Sequence, residues 1–295
     1  MPHTSDRHRL LSVTILILCL LLFSLSLEAQ ERLPEVPAQT IENAYPLGLA
    51  KQPRQTFLTL GGSVGSLTQQ DAALSPLRYS GVAVGANGEL RAYSRDVFVH
   101  IGSNVAFGVL FPVVGRERNL NSSISALQTN SFASVAFDVL HSEDRTMRLY
   151  AGGLLNVMVN AKLSAVFGNS ASVFDVYASL GAMAHWEQDF RFLSKQWRGT
   201  SQIRLPLAGF AARPYYSTTF RSAAANDNIF AAIDVQGASI FNFPSVMWRT
   251  SLDYMLTTGN WLSLAYEWDF YDYNRFNRVQ NARQAVSLTL HLRLE

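Results

Sequence analysis

The sequence predicts an all-β fold, a transmembrane antiparallel up-and-down β-barrel of about ten strands, with twelve strands as the alternative count. Three observations predict it. Long strand-like runs alternate with a period of two, the chain is 48% hydrophobic and only 16% charged, and an export signal stands at its start. After residue 30 no continuous apolar segment is long enough for a spanning helix. These features are typical of an exported protein that crosses a membrane with strands.

The clearest strand pattern closes the chain. From 262 to 270 every even position is leucine or aromatic, whereas the odd positions are small or acidic. From 286 to 294 apolar residues again alternate with polar ones. Because successive side chains of a strand point to opposite faces, each run has one apolar face. Each run also has the roughly 9–11 residues that a tilted transmembrane strand needs.

Earlier runs complete the predicted barrel. Eight of them precede the closing pair, at 57–67, 77–93, 97–113, 132–140, 147–167, 173–187, 198–210 and 246–256. Short turns follow the even-numbered runs and the longest connections follow odd ones, as in bacterial barrels with periplasmic termini. The connection 211–244 contains a further apolar run, 230–241, which is the reason for the alternative count of twelve.

The N-terminal region predicts export. Residues 1–9 are polar with two arginines, residues 10–27 are almost wholly apolar, and a small residue, Ala29, precedes the expected cleavage point. We therefore expect a signal peptide over 1–29, with an uncleaved anchor as the alternative. Residues 30–54 contain four prolines and predict an extended leader or a small plug, and the barrel is expected over 55–295. The only cysteine, Cys19, lies in the signal, which excludes disulfides and thiolate chemistry from the mature chain.

The strand pattern resembles the outer-membrane β-barrel proteins of Gram-negative bacteria. The resemblance covers essentially all of the mature chain and depends on pattern, since no specific motif is present. It implies a location in the cell outer membrane and contact with outer-membrane lipid. It also implies external loops that carry recognition, here 115–131 and 211–244, which are candidates for contact with small solutes or another envelope protein. A net charge of +2 gives no indication of nucleic acid, and the sequence predicts no particular oligomeric state.

The polar parity of the strands predicts what fills the lumen. If the apolar parity faces lipid, acids and bases in nearly equal number face inward, and they should pair because unpaired buried charges are costly. Barrels of about eight strands are filled by side chains, whereas open channels need about sixteen. A closed or narrow, porin-like lumen is therefore expected. The predicted polar network comprises Glu89, Arg91, His100, Asp138, Asp175, His185, Glu187, Arg198, Arg204, Arg249, Asp253, Glu267, Asp269, His291 and Arg293.

Aromatic residues near the strand ends predict the two membrane interfaces. Tyr and Trp favour this position, where the ring is buried and the polar edge stays hydrated. The predicted interface residues are Tyr93, Trp186, Trp197, Trp248, Trp261, Phe270 and Tyr273.

The sequence predicts no catalytic residue, no metal site and no cofactor. His100 and Ser103 are three residues apart, so they should face opposite sides of a strand. Three inward histidines, His100, His185 and His291, suggest either a metal or proton-linked gate or a hydrogen-bonded polar floor. The polar floor is favoured because their strands are well separated. We therefore expect a non-enzymatic outer-membrane barrel with a narrow-pore, structural or recognition role. The alternative is a phospholipase- or protease-type hydrolase whose site is not recognised.

Overall fold

The computed structural model describes residues 54–94, 96–113, 123–164, 172–214, 233–274 and 278–294. The predicted signal peptide, and the predicted leader up to residue 53, lie outside these ranges and stay predictions. No helix in the described ranges has the length and apolar character needed to cross a membrane. The strands are β1 (Arg54–Asp71), β2 (Ser75–Ser94), β3 (Val97–Pro112), β4 (Ile124–His141), β5 (Met147–Ser164), β6 (Ser172–Phe192), β7 (Lys195–Pro214), β8 (Ile233–Ser239), β9 (Ser245–Met255), β10 (Trp261–Tyr273) and β11 (Val279–Leu294).

Ten of these strands close into an antiparallel barrel, and β8 is an additional strand. Neighbours in the chain are neighbours in the wall from β1 to β7, and β9, β10 and β11 complete the circle. Closure is made by β1 and β11, which pair from Thr56↔Leu294 to Asp71↔Val279. The predicted fold class is therefore confirmed.

The two faces of the wall have opposite chemistry. On β11, Leu288 is 57% exposed, whereas its neighbours Ser287 and Thr289 are each 1% exposed. On β10, Leu264 is exposed and Ser263 is buried. This is the reverse of a water-soluble protein, in which leucine is buried and serine is exposed. The solvent around the wall is therefore lipid, and the polar parity faces an enclosed lumen.

The barrel is taller than the lipid that surrounds it. An 18-residue strand such as β1 spans roughly 45 Å along the barrel axis at the usual tilt, whereas the apolar band of such barrels is about 25 Å tall. The end of the barrel opposite to Arg54 and Leu294 is here called the upper end, and the end that carries these two residues is called the lower end. At the upper end the outside of β1, β2 and β11 carries polar residues, including Gln70, Arg78 and Gln280. On the inside the same end holds an apolar cluster that includes Leu67, Leu110 and Ile124.

This extra height corrects the predicted loop 115–131. Its residues from Ile124 onward belong to β4 and pair with both β3 and β5. Ile124 and Ala126 face inward there, and Ser125 and Thr129 face outward. Above the lipid the outer face of a strand can be polar, so no apolar stripe identified this segment as a strand.

The predicted connection 211–244 is also corrected, and part of its apolar run 230–241, the reason for the alternative count of twelve, is a strand. Strand β7 continues to Pro214, and residues 233–239 form β8, which pairs with the upper end of β7. Strand β9 pairs with the lower end of β7. Ala208 pairs with Ser239, and Arg204 pairs with Met247. Between these two pairs β7 advances by four residues, whereas the segment that runs from β8 to β9 advances by eight. The surplus forms an excursion of the wall over residues 240–244.

The excursion contains two phenylalanines: Phe243 points into the barrel, and Phe241 is exposed on the outside. The Ile240 N–H donates to the Leu207 carbonyl at 3.0 Å, and the Asp272 N–H donates to the Pro244 carbonyl at 3.0 Å, so the backbone stays within the wall. The ring of Phe243 enters the lumen and stacks on Tyr177 with 4.5 Å between ring centroids.

Substitution of Gly65 should prevent proper closure of the barrel. A Cβ at Gly65 would lie 1.9 Å from the carbonyl oxygen of Gln284 on β11. We expect Gly65→Val to lower the free energy of unfolding by about 3 kcal/mol, because the two closing strands must separate. Gly153→Val is the matched control, since a Cβ there meets nothing within 4 Å. Urea unfolding in lipid, followed by tryptophan fluorescence, measures both, and equal stability of the two variants would contradict the expectation.

The two phenylalanines of the excursion provide a second test. Phe243 is 3% exposed inside the barrel, whereas Phe241 is 93% exposed outside. Phe243→Ala should lower the free energy of unfolding by about 3–5 kcal/mol, because a buried aromatic stack is lost. Phe241→Ala should change it by less than about 0.5 kcal/mol. The same unfolding measurement applies, and similar losses for both variants would show that Phe243 is not part of the packed interior.

Candidate functional site

The lumen is the candidate site, and its centre is organised around Glu89. Glu89 and Arg91 share the inward parity of β2, and Arg91 donates to Glu89 Oε2 from Nη2 at 2.8 Å and from Nε at 3.2 Å. His100 lies opposite Arg91 on β3 and places Nε2 3.1 Å from the same oxygen. From β9, Arg249 donates to Glu89 Oε1. One carboxylate thus has partners from three strands.

The central network continues onto β10 and β11. Arg283 donates from Nη1 to Asp269 at 2.9 Å and from Nη2 to Glu267 at 3.1 Å. The hydroxyl of Ser287 also donates to Glu267, at 3.1 Å. Arg249 Nε lies 4.0 Å from Glu267 and so connects this half to Glu89. All these carboxylates are almost completely buried, so their pairing with guanidinium groups is what makes their burial possible.

A second network forms a square of charges at the upper end. Lys162 on β5 donates to Asp71 on β1, and to Asp175 on β6 at 3.0 Å. Arg213 on β7 lies 3.0 Å from Asp71 and 2.6 Å from Asp175. Two acids and two bases from four strands therefore neutralise one another. Asp71 and Arg213 were not predicted as lumen residues, because both fall in segments expected to be connections.

The lower end has its own pairs. His185 Nε2 lies 2.8 Å from Glu187 Oε1 on the same strand. Arg198 donates from Nε to Asp189 Oδ1 at 2.6 Å, across the β6–β7 pair. Asp189 was missed by the sequence analysis because it lies where a turn was expected, although β6 continues to Phe192.

The remaining predicted lumen residues lie near the edges of these networks. The Asp138 side chain is buried and lies 3.2 Å from His141 Nδ1. Asp253 is buried and accepts a hydrogen bond from Ser251 at 2.7 Å. Arg204 places its guanidinium 3.9 Å from the ring centre of Phe132. Arg293 is only partly buried.

The structure divides the predicted interface aromatics into two groups. Trp186, Trp197, Trp248 and Phe270 lie on the outward parity and are partly exposed. The other three, Tyr93, Trp261 and Tyr273, are buried inside the barrel, which corrects their assignment to the interface. Their side chains point to the lumen, like those of the polar residues two positions away on the same strands. The ring of Tyr93 lies 4.8 Å from that of Phe98, and the guanidinium of Arg198 lies 4.7 Å from the ring centre of Trp261. The Tyr273 hydroxyl donates to Gln236 at 3.2 Å.

The three inward histidines have separate partners. His100 contacts Glu89 and His185 contacts Glu187, whereas His291 Nδ1 lies 2.6 Å from Thr59 Oγ1. Within the described ranges no group of three His, Cys, Asp or Glu side chains could hold a metal ion. Each of the three histidines therefore contacts a different group: Glu89, Glu187 or Thr59.

Two combinations of a histidine with a hydroxyl group were compared with what a nucleophile and its base require, namely His100 with Ser103 and His291 with Thr59. His100 faces inward, whereas Ser103 faces outward and lies 3.0 Å from Ser131. Thr59 and His291 are in contact but buried. The cavity beside His291 has a volume of about 10 Å³, which is space for about one water molecule.

The closed wall, the apolar exterior and the charged interior define a transmembrane β-barrel of the bacterial outer-membrane type.

No protein-family model and no curated protein matches the chain. Several solved outer-membrane barrels show weak similarity. Neisserial surface protein A is 8% identical with a TM-score of 0.31, over 79% of this chain and 95% of that chain. Ail of Yersinia pestis is 10% identical with a TM-score of 0.28, over 81% and 99%. The transport unit of the autotransporter AIDA-I from Escherichia coli is 7% identical with a TM-score of 0.38, over 86% and 95%.

Removal of the central carboxylate should destabilise the barrel. We expect Glu89→Gln to lower the free energy of unfolding by about 3–5 kcal/mol, because Arg91 and Arg249 lose the charge that compensates their burial. The matched control is Asp272→Asn, whose partner Arg278 is exposed and whose loss should leave stability nearly unchanged, because water screens the pair. Urea unfolding in lipid compares the two, and a small effect of Glu89→Gln would mean that the central network is hydrated.

Proposed function

We propose that this protein is a closed, non-catalytic outer-membrane barrel that acts through its external surface, as a recognition or structural protein. The observation that carries the proposal is the filled lumen. Buried charged side chains occupy it at three levels, around Glu89, around Asp175 and around Glu187. Aromatic rings pack between these levels. A solute would have to displace paired charges at each level, which is costly in a dry interior.

The number of strands supports the same proposal. A wall of ten strands is close to the size that side chains fill, and far from the sixteen or more that leave an aqueous channel. The narrow-pore role expected as one possibility from the sequence therefore has less support than a surface role.

The external connections are the proposed site of recognition. Residues 114–122 and 215–232 join strands at the end opposite to the barrel termini, the end assigned to the cell exterior. In sequence, 215–232 contains Tyr215, Tyr216, Phe220 and Arg221. Tyrosine and arginine are residue types that often dominate binding energy in protein contacts.

Conductance measurements test the closed lumen. The purified protein in planar bilayers should give no steady ionic conductance, and liposomes that contain it should not swell in small sugars. A general porin reconstituted in parallel shows that the assay detects channels. Stable ohmic channels from the wild-type protein would refute the proposal in favour of a pore.

A further inference from the structure

The hairpin of β6 and β7 projects beyond its neighbours at the end that carries the barrel termini. The last residue of β6 that pairs with β5 is Gln188, and Trp197 is the first residue of β7 that pairs with β9. Residues 190–196 between them, here called the hairpin tip, pair only with one another and with Trp197. Short turns and termini mark the periplasmic end of such barrels, so the tip lies on the periplasmic side.

The tip is apolar where comparable turns are polar. Leu193 is 79% exposed and Phe192 is 56% exposed. The turn between β4 and β5 is instead closed by Asp144, which accepts hydrogen bonds from the Ser142 hydroxyl at 2.5 Å and the Thr146 N–H at 3.1 Å. Partial burial raises the pKa of Asp144, but these hydrogen bonds outweigh it and leave the pKa below its usual value. That turn is thus a self-contained polar unit, and the tip is not.

The backbone of the tip is also strained. Leu193 has a φ of 51° and Ser194 a φ of 60°, in the left-handed region that favours glycine and asparagine. The turn between β9 and β10 places Gly259 at its position of positive φ, and the polar β4–β5 turn places the single residue Arg145 there, with a φ of 56°. An Asn-Gly pair would form the β6–β7 turn with less strain, so the leucine is not explained by folding of the hairpin. Its exposed side chain is better explained by a contact outside the barrel.

The surroundings of the tip indicate which contact this is. On the outward face Phe190 and Phe192 follow Trp186 and the polar Gln188 on the outward row of β6. The Trp197 ring lies 5.0 Å from Tyr254. The only charged residues of the tip are Arg191 and Lys195, and both are exposed. An apolar surface that continues from the lipid-facing wall and ends in cations complements the headgroup layer of an anionic membrane.

We propose that the hairpin tip docks into the periplasmic leaflet of the membrane and binds anionic phospholipid. Leu193 and Phe192 would enter the boundary between headgroups and acyl chains, and Lys195 and Arg191 would meet the phosphates. The proposal is independent of the closed lumen, because it concerns only the outer face and one turn.

Site-specific fluorescence tests the docking. Leu193→Cys in a Cys19→Ser chain is labelled with bimane and reconstituted in nanodiscs that contain brominated phosphatidylcholine or brominated phosphatidylglycerol. Thr258→Cys, in the β9–β10 turn at the same end, is the matched control. We expect quenching at 193 and none at 258. Heat-dependent mobility in electrophoresis verifies that each variant is folded.

Charge dependence identifies the ligand class. One lysine near an anionic surface contributes about 1 kcal/mol, so brominated phosphatidylglycerol should be enriched about fivefold at the tip. Lys195→Gln should remove most of this preference, and Lys195→Arg should keep it. An unquenched probe at 193 would overturn the docking and favour a protein partner, and quenching without preference for phosphatidylglycerol would overturn anion binding.

A second variant keeps the test independent of the label. Leu193→Asn combined with Ser194→Gly supplies the residues that the turn conformation favours. This variant should fold at least as well as the wild type. In a background where Trp197 is the only outward tryptophan, with Trp186, Trp248 and Trp268 replaced by Phe, the brominated lipid should quench the fluorescence less than it does without the two turn substitutions. Unchanged quenching would contradict the role of Leu193.

Discussion

The rest of the structure depends on the absence of water along the outer wall. Lipid offers no hydrogen-bond partner to backbone N–H and C=O groups, so the strands that cross it must be paired on both sides. The pairing of β1 with β11 removes the last two edges and closes the wall. Closure also creates the lumen, and with ten strands this lumen is narrow enough for side chains to fill.

Enclosure determines which polar groups the interior can hold. A buried charge needs an opposite charge in good geometry, and on this scaffold the partner usually stands on another strand. Arg249 reaches Glu89 across the barrel, and Lys162 joins Asp71 to Asp175. The contacts of Arg249 with Glu89 and of Lys162 with Asp71 connect strands that are distant in sequence, and all three pairs lie inside the lumen. If the lumen is closed as proposed, stability and impermeability have the same physical origin in this protein.

The sequence predicts well only the part of the chain that lipid touches. There the solvent imposes strict alternation, and β10 and the end of β11 could be located closely. The first residues of β11, from Val279, were expected to be a polar connection. Above the lipid the outer face can be polar too, so the beginning of β4 was expected to be a loop. Asp71 and Arg213 were missed for that reason. The run that contains β8 supported only the alternative count of twelve strands. Which inward charges meet depends on the register and stagger of strands distant in sequence, and alternation alone does not contain that information.

The type of a residue can suggest the wrong face of the barrel wall, even where its odd or even position along the strand indicates the correct one. Tyr93 and Trp261 lie on the inward parity, yet aromatic rings near strand ends suggested the membrane interface. A narrow lumen accepts aromatic rings as readily as an interface does, so the parity of the strand decides the face and the residue type does not.

The two irregular parts of the wall have different explanations. The excursion at 240–244 breaks the regular pairing of β7, but it satisfies its backbone and places Phe243 against Tyr177 inside the barrel. Packing within the protein therefore accounts for it. The turn at Leu193 adopts an unfavourable backbone conformation and leaves its side chain 79% exposed. Packing against the barrel does not account for this exposed side chain, whereas the proposed docking at the membrane would give it a partner.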